Sequence, residues 1–390
     1  LRPPPRPTLA RPRRQRQMCI RDSSLPEEIK GLLQTASAVG REFGHHLIQK
    51  VSGFAEQKLL SHLSALKDSE LIYERGIYPH SAYIFKHALT QEVAYDSLLF
   101  KRKKQIHEQL GSAMEALYPD RLEEHYELLA YHYARSASTE KALQYLELAN
   151  QKTAKLNAMQ MAKAYFDEAM ALLDTLPEDA DNRQRRISLL VNQGIVFLLL
   201  FKFPEYYDLL TRYEPTARVV ENPELLGAFY ARLGQCKYSF GHYDQAIQTL
   251  TKAIELSKAA GNLEDLVYAY AFMITSNIDL SNYDQIFPLK EDALRLLEQK
   301  FDPRWYVWVL SLTSRAYSFR GQWDDAFEIG KKALSDALQY SDNSLIAFAS
   351  WNLSINYSWA VDMVRAIEYA ELAIEKAQTH GDIAWAQRSL

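Results

Sequence analysis

From about residue 126 onward, apolar residues recur three and four apart, the mark of helices with one buried face. That pattern itself repeats every forty residues. Small or apolar residues stand at Ala246, Ile286, Ala326 and Ala366, with Tyr206 one interval earlier. A second small position follows at Ala253, Ala293, Ala333 and Ala373, and a large residue stands three before the first, at Tyr243, Tyr283, Trp323 and Met363. Around Ala246 the copy is fullest: Leu233-Gly234, then Gly241-His242-Tyr243-Asp244-Gln245-Ala246, then Leu250 and Ala253. A constant interval without insertion predicts stacked helical hairpins, an α-solenoid. The units fall at 182–221, 222–261, 262–301, 302–341 and 342–381. Asn222-Pro223, Gly261-Asn262, Asp302-Pro303, Ser341-Asp342-Asn343 and Gly381-Asp382 supply caps and turns at their boundaries. Leu390 falls inside the next predicted helix, so the array over 182–390 is expected to be cut short there.

Upstream, the spacing differs. Ala142, Leu146 and Ala149, then Ala162, Phe166 and Ala169, predict helical hairpins over 119–181 that begin the solenoid. Residues 24–118 read as a separate domain. Helices are predicted over 26–38, 47–51 and 56–67, the first on the stripe Leu25, Ile29, Leu32, Leu33 and the third on Leu59, Leu60, Leu63, Leu66. Two β-prone runs follow, 71–75 and 82–85, joined by a loop with Gly76 and Pro79. Three helices and a hairpin make a winged-helix arrangement. The next helix, entered at His87, is expected to carry Leu89, Val93, Ala94, Leu98 and Leu99 toward the same core. The fold class is therefore mainly α: a winged helix with a small hairpin, then a tetratricopeptide-like solenoid of helical hairpins.

Composition narrows the function. The chain has 390 residues, 47% hydrophobic and 24% charged, as in ordinary soluble proteins. No apolar run reaches the roughly 20 residues needed to cross a bilayer. Two cysteines, Cys19 and Cys236, form no metal or redox spacing, so a reducing, cytoplasmic setting is expected. Residues 1–23 have no helical or strand period, and Gln17-Met18-Cys19-Ile20-Arg21-Asp22-Ser23 resembles the translated end of a sequencing adapter. They read as an artefactual or disordered tail, and the natural reading frame is expected to extend upstream. The tail holds seven arginines and one aspartate; without it the formal charge falls from −4 to −10. An acidic body argues against binding to nucleic acid or anionic membrane. The third helix of the small domain would offer DNA only Gln57, Lys58, Ser61, His62 and Lys67, with no arginine for a guanine. The basic run Lys101-Arg102-Lys103-Lys104 reads as a solvated helix face.

One stretch is more specific. Tyr83-Ile84-Phe85-Lys86-His87-Ala88-Leu89-Thr90-Gln91-Glu92-Val93-Ala94-Tyr95-Asp96-Ser97-Leu98-Leu99, followed by Ile106-His107, resembles the segment just after the ATPase core in bacterial signal-transduction ATPases fused to nucleotide cyclases. Ala36-Ser37-Ala38-Val39-Gly40-Arg41-Glu42-Phe43 is similar to the winged-helix start in that family, and 120–133 also fits. The resemblance covers Ser24 to about Pro177; beyond that the pattern is generically tetratricopeptide-like. It implies that upstream ATPase and class III adenylate or guanylate cyclase domains act in cis, and that ATP, ADP and Mg are bound by the parent protein. No Gly-x-x-x-x-Gly-Lys-Ser/Thr loop occurs in this sequence, so no cofactor and no catalysis are expected of the fragment itself. Large ATP-dependent transcription activators of the LuxR type share the plan, and a nucleotide-independent adaptor scaffold is the third reading.

Two sets of residues are candidates for function. By resemblance, His87 is placed like the winged-helix histidine that holds the ADP-bound state of such ATPases; the alternative is a histidine capping its own helix. On the first helix of each repeat, one stripe packs: Tyr230, Leu233 and Gly234; Leu310 and Tyr317; Leu353 and Tyr357. The stripe rotated inward holds Tyr238, Tyr268, Trp308, Arg315, Phe319, Trp351 and Trp359. Trp, Tyr and Arg dominate interface hot spots, so a protein or peptide ligand in the solenoid groove is expected. Packing between repeats would use the same aromatics. His125 and His132, seven apart and read as sharing a helix stripe, lie too far apart to share a metal, and none is expected.

Overall fold

The computed structural model describes residues 25–78 and 80–380. The tail at 1–23 and the chain end after residue 380 lie outside the described residues. The chain divides into two compact units, 25–175 and 176–380.

In the first unit, α1 (Glu27–Val39) opens with Glu27 and Glu28 in its first turn, where carboxylates suit the helix dipole. It leads to β1 (Glu42–Gly44), α2 (His45–Ser52), α3 (Glu56–Asp68), β2 (Ile72–Arg75) and β3 (Ala82–Phe85). The hairpin is antiparallel, with Ile72 opposite Phe85 and Arg75 opposite Ala82. Strand β1 pairs along the other edge of β3, placing Phe43 opposite Tyr83, so the sheet has three strands in the order β1-β3-β2. The additional strand is three residues long, too short for an alternating pattern to mark. Its one buried residue, Phe43, joins Leu32, Leu33, Ile48, Leu63 and Phe85 in the core.

Helices α4 (Ala88–Asp96) and α5 (Phe100–Leu117) follow. Ala94 and Leu98 face inward as expected, but Leu99 is 79% exposed, because it caps α5 where the chain turns. After a 3-10 turn at Pro119–His125, the unit closes with α6 (Tyr126–Ala134), α7 (Thr139–Lys155) and α8 (Met159–Asp174). His125 therefore precedes α6 and shares no helix stripe with His132. Ala142, Leu146, Ala149, Ala162, Phe166 and Ala169 are all buried.

The second unit begins with a broken helix, α9 (Ala180–Val191) and α10 (Gly194–Leu199), against α11 (Phe203–Arg218). Tyr206 occupies the position that is Ala246 in the next copy. It is fully buried, and its hydroxyl donates to the Leu190 carbonyl at 2.9 Å. A ring in a slot shaped for a methyl group accounts for the interruption of the facing helix beside it.

From there the period is regular. First helices α12 (Pro223–Ser239), α14 (Leu263–Asp279), α16 (Pro303–Phe319) and α18 (Asn343–Trp359) alternate with α13 (Tyr243–Ala260), α15 (Ile286–Gln299), α17 (Trp323–Gln339) and α19 (Met363–His380). Asn222, Asn262, Asp302 and Asp342 each cap a first helix, accepting backbone N–H groups at 2.9–3.2 Å. Helix α15 starts three residues late, after a 3-10 turn at Tyr283–Gln285. Pro288 explains the delay, since it has no N–H to give the carbonyl four residues back. Ala246, Ala253, Ala293, Ala326, Ala333 and Ala373 are 0% exposed. Gly234 brings α12 and α13 together: a Cβ there would lie 2.6 Å from Leu250.

Candidate ligand-binding face

The aromatic residues of the first helices form a continuous chain. Tyr238 on α12 meets Phe272 on α14 at 6.1 Å between centroids, and Phe272 meets Trp308 on α16 at 5.9 Å. Trp308 stacks on Phe348 of α18 at 4.4 Å and 18°, and Phe348 leads to Trp351 at 6.4 Å. Tyr268 joins from the side through Phe272 and Trp305, 5.0 Å from each. Tyr238, Tyr268, Trp308 and Trp351 are all half-buried. The rings bridge successive repeats and keep part of their surface open.

Two arginines lie among these rings in different states. Arg232 stacks its guanidinium over Tyr268 at 3.9 Å and pairs with Asp265 at 3.1 Å. Arg315 is 8% exposed, sits 5.8 Å from the Trp351 ring, and its Nε is buried without a hydrogen-bond partner. Burial lowers its pKa, opposed by the nearby Tyr238 and Asp279. Tyr238 is pushed up, by burial first and then by Asp279. Burial likewise raises the Tyr268 hydroxyl, whose proton is given to Gln235 Oε1.

The inward stripe read from sequence thus divides. Tyr238, Tyr268, Trp308, Arg315 and Trp351 share one connected face. Phe319 and Trp359 form a second pair at the helix ends, edge to face at 5.4 Å, with Tyr283 beside Phe319 at 5.7 Å. Trp359 is 62% exposed and outside the main chain of rings. Phe272 and Trp305 were missed because their columns do not repeat: forty residues from Phe272 stand Leu312 and Arg232, and forty from Trp305 stand Leu345 and Asp265. Phe348 was missed although it continues the forty-residue column of Tyr268 and Trp308. Of the packing stripe, Tyr230, Leu233, Gly234, Leu310, Leu353 and Tyr357 are buried as expected, and Tyr317 is half-buried.

In the first unit, His87 is exposed and stands immediately before α4 in extended conformation, making no side-chain cap. His62 is buried with its ring edge-on to Phe54, so α3 does not present it to solvent. Lys103 and Lys104 lie over Tyr95 and Phe100, at 4.2 and 4.9 Å. An unforeseen cluster is buried here: Tyr95 Oη lies 2.9 Å from His107 Nε2, and His107 Nδ1 lies 3.0 Å from His132 Nδ1. Burial lowers the His107 pKa to about 4 and that of His132 to about 3. Both are therefore neutral at pH 7, which lets one ring donate and the other accept. Cys236 is buried, and burial raises its thiol pKa. Among the described residues no group of three His, Cys, Asp or Glu side chains is placed to hold a metal ion, and no helix is long and apolar enough to cross a membrane.

The second unit is a tetratricopeptide-like helical array. No family model and no curated protein matches the sequence. Among solved structures, the chain is similar to a signal-transduction ATPase with numerous domains (STAND) from Pyrococcus horikoshii that carries a tetratricopeptide repeat sensor. That match has a TM-score of 0.56 at 16% identity and covers 94% of this chain and 53% of that one. The chain thus spans about half of the STAND protein's length. It is also similar to RapI in its apo form, with a TM-score of 0.57 at 11% identity, covering 72% of this chain and 98% of that one. At these identities the likeness is one of fold.

Proposed function

We propose that this chain is the ligand-sensing, regulatory region of a multidomain cytoplasmic signalling ATPase. The array binds a protein or peptide through Tyr238, Tyr268, Trp308, Arg315 and Trp351. The observation carrying this reading is the chain of rings across four successive first helices, linked through buried Phe272 and Phe348, in which Tyr238, Tyr268, Trp308 and Trp351 stay half-buried. A purely structural seam would bury such rings fully; partly open Trp and Tyr beside a buried Arg have hot-spot chemistry.

Residues 24–118 are read as a winged helix that couples ligand binding to the nucleotide state of an upstream ATPase core, with His87 as the contact. The exposure of His87 and its lack of a capping bond support an outward role. ATP, ADP and Mg belong to that core, and the output is a class III nucleotide cyclase. Coupling requires the ligand to favour one state of the parent differentially.

Recovering the flanking reading frames tests this. An ATPase and a cyclase upstream are expected. A helix-turn-helix domain downstream would replace the reading with a transcription activator, and the absence of both would leave an adaptor scaffold. In the parent, His87→Ala is expected to weaken ADP retention and raise basal activity; unchanged ADP affinity and activity would remove His87 from the scheme.

A further inference from the structure

On α16, Ser311, Arg315 and Ser318 stand four and three residues apart, so they share one stripe of the helix with Trp308. All three are more than nine-tenths buried, and Ser311 Oγ, Arg315 Nε and Ser318 Oγ have no hydrogen-bond partner. Leaving one buried donor unmatched costs about 1–3 kcal/mol, and more for a charged group. Three along one stripe, one of them a cation, form a polar strip whose acceptor comes from elsewhere. Among the described residues no carboxylate pairs with Arg315. Asp279 acts on it electrostatically, but Asp279 is solvent-exposed and beside the Tyr238 hydroxyl. Arg232, by contrast, has Asp265.

We infer that Arg315 is the anchor for a carboxylate of the bound peptide, held between Trp351 and Tyr238, with Ser311 and Ser318 along the same stripe. A guanidinium offers a planar fork that matches a carboxylate with two parallel hydrogen bonds. A single guanidinium matches one carboxylate, and with Asp279 nearby the site carries no excess positive charge to hold a phosphate dianion. The carboxylate comes from the peptide's C-terminus or from an acidic side chain. This rests on the peptide-sensing reading above and specifies the chemistry of its ligand.

The test uses the full 390-residue chain and a synthetic decapeptide library in four forms: free-acid or amidated C-terminus, each with one Glu or its Gln counterpart. Binding is read by tryptophan fluorescence. Carboxylate forms are expected to bind about tenfold tighter or more than their amide isosteres, as for a charge-assisted hydrogen bond. Arg315→Gln abolishes that preference and Arg315→Lys retains part of it. The terminal and side-chain comparisons identify the source. Peptides that bind equally in acid and amide forms overturn the carboxylate assignment and leave peptide sensing intact. Failure of every form to bind overturns peptide sensing itself. Should Arg315→Gln not fold, the acid-to-amide ratio on the unaltered chain still decides.

Discussion

His107 and His132, twenty-five residues apart on α5 and α6, face each other through their Nδ1 atoms at 3.0 Å, and both are buried. One proton serves the pair, and Tyr95 completes the line at His107 Nε2. In the folded state both rings resist protonation, with pKa values lowered to about 4 and about 3. In the unfolded chain each would titrate near the ordinary value of about 6.5. Between those limits the unfolded state binds more protons, so stability is fully present above about pH 6.5 and is lost as pH falls toward 4. The slope approaches about 1.4 kcal/mol per pH unit for each histidine. Thermal unfolding followed from pH 7.5 to 4.5 is expected to show that decline, and His107→Gln should flatten it. A midpoint independent of pH across this range would contradict the account.

The pair illustrates what the sequence hides. Ile106-His107 and His132 both belong to the stretch whose resemblance was noted, yet nothing local says that their rings meet. One turn after His107, α5 and α6 also come close at Gly111, where a Cβ would lie 2.6 Å from the Tyr133 ring. The forty-residue interval, by contrast, was open to inspection. Caps, small slots and turns are each decided within a few residues, so a periodic sequence displays them directly. The interruption at α9 and α10 follows from one substitution in that period, Tyr206 for a small residue. On the candidate face, Trp308 and Trp351 were legible as inward positions, and Phe348 could have been read from the column it shares with Trp308, whereas Phe272 required the neighbouring helices to be in place.

Close approach at Gly234 is expected to be an unforgiving feature of the α12–α13 pair. Gly234→Ala forces a methyl against Leu250 Cγ and Cδ2, both 2.6 Å from the built position. Overpacking of that kind costs about 1–3 kcal/mol, more than alanine's better helix propensity recovers. Urea denaturation should show a lower midpoint; an unchanged or higher one would mean that Leu250 moves aside freely.

The aromatic groups differ in what they do for the fold. Trp308 is stacked on Phe348, and removing its side chain with Trp308→Ala is expected to cost about 2–3 kcal/mol, somewhat less than for a fully buried tryptophan. Trp359 is 62% exposed, so Trp359→Ala should stay within about 0.5 kcal/mol. Differential scanning calorimetry on both variants checks the ranking. Comparable losses would show that the helix-end pair packs as firmly as the main chain of rings.

The turn between paired helices offers the reverse case, a substitution that should stabilise. Position 241 and its counterparts 281, 321 and 361 all adopt positive φ, at 78°, 60°, 74° and 63°. Gly241 and Gly321 meet that requirement without strain, but position 361 is a valine. A β-branched side chain in left-handed backbone is a steric outlier whose cost is about 1–3 kcal/mol. The side chain is 78% exposed, so deleting it forfeits little packing. Glycine's extra freedom in the unfolded chain offsets about 0.5–1 kcal/mol of the relief. Val361→Gly is therefore expected to raise the unfolding free energy by about 1 kcal/mol, measured by urea titration at constant slope. Ser281→Gly should give a smaller gain in the same direction, because serine's β-carbon is unbranched. A loss of stability in Val361→Gly would mean that the valine contributes contacts that outweigh its backbone strain.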